Sequence, residues 1–111
     1  MKPNHPSPVY FLARLDVPDV DRYRGEYGRK VLSQLVAVGA KLLVASPSPT
    51  VLEGDWESTW TALIQFPDRA TALRWYQSEE YAPLKKLRVE ELTTGGAAVL
   101  FDGYQPPAVE S

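Results

Sequence analysis

The chain has no cysteine and a single histidine, His5. Without thiols there is no disulfide staple, no thiolate metal site and no cysteine nucleophile. The one imidazole lies among Pro3, Pro6 and Pro8, in a segment without apolar periodicity. It cannot build a multi-histidine zinc site, and a Ser-His-Asp triad would have no base in the body of the domain. No run approaches the roughly 18 apolar residues that cross a bilayer. The first residues also lack the charged-then-apolar layout of a secretory signal. Neither sign of charge dominates: 12 Lys plus Arg stand against 14 Asp plus Glu, for a net charge of −2. A pI near 5.3 argues against a general electrostatic grip on phosphates. The only basic concentration is Lys85, Lys86 and Arg88, which reads as a solvated helix face. The expectation is a cytoplasmic protein with no metal, no cofactor, no nucleic-acid partner and no membrane association.

What is present is enough for one globular domain. The sequence has 111 residues, 44% of them hydrophobic and 23% charged, a composition that excludes wholesale disorder. Residues 1–8 and 104–111 read as tails around a domain at 9–103. Residues 9–17 alternate, with Val9, Phe11, Ala13, Leu15 and Val17 on one side and Tyr10, Leu12, Arg14 and Asp16 on the other. That period of two predicts a strand. Pro18-Asp19 is a helix-start signal, because proline suits the first turn and the carboxylate meets the helix dipole. The stripe Val20, Tyr23, Tyr27, Val31, Leu35 and Val38 then predicts one long amphipathic helix. Gly25 and Gly28 interrupt it, either as a weakness or to admit another backbone, and Gly39 stops it.

Residues 40–45 predict a second strand. Ser46-Pro47-Ser48-Pro49 is a turn, and an extended arm follows through Trp56. Residues 59–66 predict a third strand with Trp60, Ala62, Ile64 and Phe66 on one face and Thr61, Leu63 and Gln65 on the other. Pro67-Asp68 repeats the helix-start signal. It leads a helix whose buried side is read as Ala70, Leu73, Trp75 and Tyr76. Ser78 caps a further helix carrying Leu84, Leu87 and Leu92. Gly95-Gly96 is expected to break it, and residues 97–101 form the fourth strand.

Two strand-helix-strand units of this length, joined by short connections, predict an α+β, ferredoxin-like βαββαβ fold: a four-stranded antiparallel sheet with helices on one face. The uncovered face would carry Tyr10, Leu12 and Leu63 among Arg14, Thr61 and Gln65. So much apolar surface calls for a partner, and a homodimer through the open sheet face, a dimeric α/β barrel, is the simplest closed solution.

Three blocks carry a family resemblance: Val51-Leu52-Glu53-Gly54-Asp55-Trp56, Phe66-Pro67, and Ala72-x-x-Trp75-Tyr76-x-Ser78-x-Glu80-Tyr81 with a following Arg88. In order and spacing, over residues 9–102, they resemble the DUF1330 family, small proteins of uncharacterised function with the dimeric α/β-barrel fold. The chain departs from that pattern where it has Trp60 in place of an arginine, Gln65 in place of a glutamate, and Gly39-Ala40 in place of a glycine pair. An ionic pairing that could orient a polar ligand in relatives is therefore neutralised. The wider superfamily implies cofactor-free monooxygenases and isomerases only by analogy of fold.

No catalytic residue is assigned. The candidate ligand-binding residues are Tyr10, Arg14, Trp56, Gln65, Tyr76 and Tyr81. Arg14 either holds a carboxylate or phenolate, if its face lines the barrel, or pairs with Asp16 or Asp102. Trp56 and Tyr76 are pocket-wall candidates, whereas Trp60 and Trp75 read as core. Glu53, Asp55 and Glu57 alternate like metal ligands but are better read as a solvated turn. Glu53 could also cap a helix or accept from Arg88. Tyr23 and Tyr27 read as core residues with hydroxyls at the rim, and Arg24 is their only evident basic neighbour. The leading expectation is a homodimer that binds a small apolar or aromatic molecule between sheet and helices. The alternatives are a cofactor-free monooxygenase- or isomerase-like enzyme, with Arg14 stabilising negative charge and a tyrosine moving protons, and an accessory dimer without ligand.

Overall fold

A computed structural model describes residues 7–105. His5 and most of both expected tails lie outside the described residues. Four strands, β1 (Val9–Asp16), β2 (Lys41–Ser46), β3 (Trp60–Phe66) and β4 (Gly95–Asp102), form one sheet in the order β2-β3-β1-β4. Every pairing is antiparallel. The helices are α1 (Val20–Tyr23), α2 (Arg29–Ala37), α3 (Arg69–Tyr76) and α4 (Ala82–Leu87). The architecture is ferredoxin-like α+β, as the repeated strand-helix-strand pattern predicts.

The alternation in the sequence sorts the strands correctly. Val9, Ala13 and Leu15 of β1 and Trp60, Ala62, Ile64 and Phe66 of β3 are buried under the helices. Phe66, Leu35 and Tyr81 are wholly enclosed, and burial of side chains of this size stabilises by about 1.5–3 kcal/mol each. Both aspartates of the Pro-Asp pairs do what the sequence predicts. Asp19 Oδ1 accepts from the backbone N–H of Arg22 at 3.0 Å, and Asp68 Oδ1 from that of Thr71 at 2.7 Å. Those bonds hold the Asp68 carboxyl below its ordinary value. Gly39, at φ 80°, ends α2. It lets the N–H of Ala40 reach the carbonyl of Leu35 and its own N–H reach Val36, which satisfies carbonyls that the last turn leaves open.

Four details differ from the sequence reading. The first long helix is not uniformly α: residues Arg24–Gly28 form a π turn between α1 and α2, and a second π turn, Arg88–Leu92, follows α4. No other backbone approaches Gly25 or Gly28; both simply lie in the wider turn. On α3, Ala72 and Trp75 face the core and Tyr76 is half-buried, while Ala70 and Leu73, expected on the buried side, are exposed. Finally, Gly95-Gly96 breaks no helix. The second π turn ends at Leu92, Thr93 is already extended, and the glycine pair lies inside β4.

The face of the sheet away from the helices is uncovered. By register, it carries Tyr10, Leu12 and Arg14 of β1, Leu63 and Gln65 of β3, Val44 of β2, and Val99 and Phe101 of β4. Phe101 is 52% exposed, Val99 and Val44 40% each. β2 is bulged between Leu42 and Val44, which adds Leu43 to this edge.

Candidate functional site

The six candidate residues fall on opposite sides of the sheet. Tyr10 and Gln65 are cross-strand neighbours on the open face. Arg14 is on the same face, exposed, with its guanidinium carbon 5.6 Å from the centre of the Trp56 ring. The arm therefore brings Trp56 to Arg14, a cation–π contact, but not into the space under the helices. Neither expected ion-pair partner meets Arg14: Asp102 accepts from Arg69 at 3.2 Å, and no ion pair joins Arg14 to Asp16. Opposite Arg14, the buried Thr61 hydroxyl has no hydrogen-bond partner. Glu53, Asp55 and Glu57 are exposed, and the described residues hold no cluster of metal-ligating side chains. Glu53 pairs neither with Arg88 nor with a helix end; Arg88 spends its Nε on Tyr81.

Tyr76 and Tyr81 lie on the helical side, with ring centres 5.7 Å apart. They belong to a continuous aromatic band. Trp60 meets Tyr23 at 5.3 Å, Tyr23 meets Tyr27 at 5.0 Å, and Tyr81 meets Trp75 at 4.1 Å. The hydroxyls of Tyr27 and Tyr81 are 2.6 Å apart, and Arg88 Nε donates to the Tyr81 oxygen at 3.3 Å. The first π turn positions Tyr27 and the second opens on Arg88. Single-turn π segments recur at functional sites because they re-aim side chains without ending the helix. Ser78 supports the band from below. Its Oγ donates to the Trp75 carbonyl at 2.7 Å and accepts from the Tyr81 N–H at 3.1 Å, closing the turn between α3 and α4. The helix α4 itself opens at Ala82, later than the sequence indicates, with Tyr81 and not Ser78 at its N-cap.

Arg88 is the residue that the sequence reading misplaces. It is only 7% exposed, whereas Lys86 is solvated and Lys85 lies half-buried with Nζ 4.2 Å from the centre of the Tyr76 ring. The signal was present in the spacing. Tyr81, Leu84, Arg88 and Leu92 recur at three- and four-residue intervals, so the arginine occupies a slot in the apolar stripe. Tyr23 and Tyr27 are likewise more enclosed than expected, and their basic neighbour is Arg88 across the band. Arg24 instead lies over the Trp60 ring at 5.2 Å.

Burial, followed by the neighbouring tyrosine oxygens, holds the Tyr27 hydroxyl well above its ordinary value; burial does the same for Tyr23, with Arg88 acting in the opposite sense. For Arg88, burial disfavours the charge, but the oxygens of Tyr81 and Tyr27 outweigh it and the value is raised, so it remains a permanent cation. The sign for stability follows from the tyrosines. The unfolded chain releases their protons near pH ~10, while the folded chain retains them. Their contribution is complete below that pH and is lost above it. Tyrosinate absorbance recorded beside circular dichroism should show a late ionisation step that coincides with loss of structure. Combining Tyr23→Phe with Tyr27→Phe should remove it; full ionisation ahead of unfolding would contradict this account.

The space enclosed between sheet and helices is small. The cavity against Tyr23, Tyr27, Trp60 and Trp75 measures about 60 Å³, well below the ~300–1,000 Å³ of ordinary ligand pockets. The larger opening is at the β4 end of the helical layer. A cleft of about 370 Å³ there is lined by Tyr76, Arg88, Val89 and Thr93 and by the strand at 95–98. Glycine and alanine at those four positions leave the strand wall nearly bare. This cleft brings together Tyr76, from the sequence reading, and Arg88, which that reading placed in solvent.

The sheet order and the helical layer on one face define a ferredoxin-like α+β protein. Residues 8–104 match the DUF1330 family, described as a domain of unknown function, and the chain belongs to that family. Among solved structures it is similar to the RPA0582 protein of unknown function from Rhodopseudomonas palustris, at 15% identity over 90% of this chain and 85% of that one, with a TM-score of 0.68. The methylated form of RPA0582 aligns at 17% identity over 95% and 87% of the two chains, with the same TM-score. A putative antibiotic biosynthesis monooxygenase from Bacteroides thetaiotaomicron aligns at 16% identity over 95% and 96%, with a TM-score of 0.52. At these identities the likeness is one of fold. A search of curated proteins found no match. No helix among the described residues is long and apolar enough to cross a membrane.

Proposed function

We propose that the protein binds a small, largely apolar or aromatic molecule in the cleft between the C-terminal helical segment and β4. The observation that carries this reading is the cleft itself: about 370 Å³, with the Tyr76 ring and Arg88 on one wall and a nearly bare strand on the other. Removing the Tyr76 ring should abolish binding without unfolding the domain, since that side chain is only partly buried. A thermal-shift screen of small aromatic compounds against the native chain and Tyr76→Ala is the test. No compound raising the melting temperature of the native chain would overturn the reading.

The same proposal includes a homodimer through the open sheet face. Leu12, Leu63, Val44, Val99 and Phe101 make an apolar field there, and a second copy of this face would cover it symmetrically. Leu63→Lys combined with Val99→Lys should turn a dimer into a monomer in sedimentation velocity at micromolar concentration, with the helical side intact. A native chain that sediments as a monomer overturns this part.

A second reading is favoured by one observation, the hydroxyl pair of Tyr27 and Tyr81 beside Arg88 on a fold similar to that of a putative monooxygenase. It is cofactor-free oxygenation of a phenolic substrate, with Arg88 stabilising the phenolate. Oxygen uptake with a hydroquinone in chelator-treated buffer tests it, and absence of uptake rejects it.

A further inference from the structure

The electrostatics of the cleft narrow what it can hold. The described residues form three ion pairs, Arg22 with Glu26, Arg22 with Glu91 and Arg69 with Asp102, all at the surface. Arg88, the one buried charged side chain, is in none of them. Its Nε is taken by Tyr81; the terminal nitrogens have no protein hydrogen-bond partner among the described residues and keep some access to solvent. Its polar neighbours are the neutral hydroxyls of Tyr81 and Tyr27, with no carboxylate within ion-pairing distance. Even Thr93 on the cleft wall is engaged, since its Oγ1 donates to the Arg88 carbonyl at 2.8 Å. A guanidinium cannot escape burial by losing its proton, as a lysine can. It therefore stays charged in a largely buried position, its Nε held by a tyrosine oxygen but with no carboxylate to balance the charge.

We propose that the occupant of this cleft is an organic anion with a small aromatic or apolar body, whose carboxylate or enolate oxygens are held by the terminal nitrogens of Arg88. The inference rests on the cleft being the binding site. The planar fork of arginine matches two oxygens at once, and with Nε fixed on Tyr81 the guanidinium plane is already oriented. The rest of the cleft supplies no second cation aimed at the same point: Lys85 lies over the Tyr76 ring. One fixed charge beside the Tyr76 ring and Val89 suits a singly charged head on a small aromatic body. It suits a phosphate ester poorly, because a second charge and a third oxygen would go unmet. The body has its own complement in the Tyr76 ring, Val89 and the small residues at 95–98, which let a flat ring lie close to the strand. The anion would supply the carboxylate partner that Arg88 lacks, and at a largely buried arginine that charge contributes more to affinity than it would at an exposed one.

The test uses the full chain and two probes of nearly the same shape, benzoate and its neutral counterpart benzamide, followed by calorimetry. Benzoate should bind at least tenfold more tightly than benzamide, and Arg88→Met should erase that preference. Should Arg88→Met fail to fold, Arg88→Lys keeps the charge but not the fork. It should weaken benzoate several-fold while preserving its lead over benzamide. Equal binding of the two probes to the native chain overturns the anion assignment and leaves the cleft as a site for neutral molecules. A benzoate preference that survives in Arg88→Met also overturns it. Failure of both probes to bind overturns the assignment together with the cleft reading.

Discussion

Tyr81→Ala is expected to leave the domain largely unfolded in the absence of stabilising additives. The side chain is fully enclosed, stacked 4.1 Å from Trp75 and packed on Tyr76 and Tyr27. Truncating a buried aromatic of this kind costs about 3–5 kcal/mol through lost transfer energy and the cavity left behind. The same substitution strands the Tyr27 hydroxyl and the Arg88 Nε, and a buried donor or acceptor without a partner costs about 1–3 kcal/mol. Small domains are stable by only about 5–15 kcal/mol in total, so these losses consume most of the margin. Tyr81→Phe separates the two contributions. It keeps the ring and loses only the hydroxyl, and its urea midpoint should fall between those of the native chain and the alanine variant. Equal midpoints for Tyr81→Ala and the native chain would show that the aromatic band does not hold the helices to the sheet.

Gly96→Val is expected to be nearly as damaging, for a different reason. Gly96 has φ 134°, a region that side-chain-bearing residues rarely adopt, and it stands opposite Leu15 in the β1–β4 ladder. A β-carbon there would run into the Arg14 carbonyl oxygen and lie 2.8 Å from Leu15 Cα. Both are backbone atoms and cannot turn aside. The strands must separate or the backbone must change region, and strain of either kind costs about 1–3 kcal/mol or more. The bare wall of the cleft would be lost with the register. Hydrogen exchange should show the amides of residues 9–16 and 95–102 losing protection ahead of the β2–β3 pair. Gly95→Ala is the comparison: its β-carbon would meet only an Asp16 side-chain oxygen at 3.1 Å, which can move. Uniform protection in Gly96→Val would rule out a close-approach role for this glycine.

These two positions show where the sequence was legible and where it was not. Strands β1 and β3 could be read because half-buried strands impose a period of two, and the two aspartate caps because a helix start leaves donors that an aspartate satisfies. Those are local rules, and they held. The open face was legible for the same reason, as the other half of the alternation. Gly96 was not, because the reason for a glycine there is a backbone some 80 positions away in the chain. Arg88 was missed through precedence. A lysine pair beside it favoured a solvated face, although the Tyr81-Leu84-Leu92 spacing placed it in the buried stripe. The π turns leave no reliable mark in composition, and they determine where Tyr27 and Arg88 meet. Arg14, Gln65 and Tyr10 were correctly assigned to a shared face, but nothing local said that the sheet would separate them from Tyr76 and Tyr81.

The strand order carries a consequence for how the protein comes into being. β1, made before the other strands of this sheet, occupies its interior, and one of its two neighbours is β4, the last of the four. Val9 stands opposite Asp102. During synthesis the outer side of β1 has no mate until nearly the whole domain has emerged, and closing that long loop is the slow, entropically costly event of a non-local topology. Until then β1 lacks a mate along one edge, beside a sheet face that no helix covers. The nascent domain is thus most open to mispairing at its beginning, and completion of its fold is governed by its end.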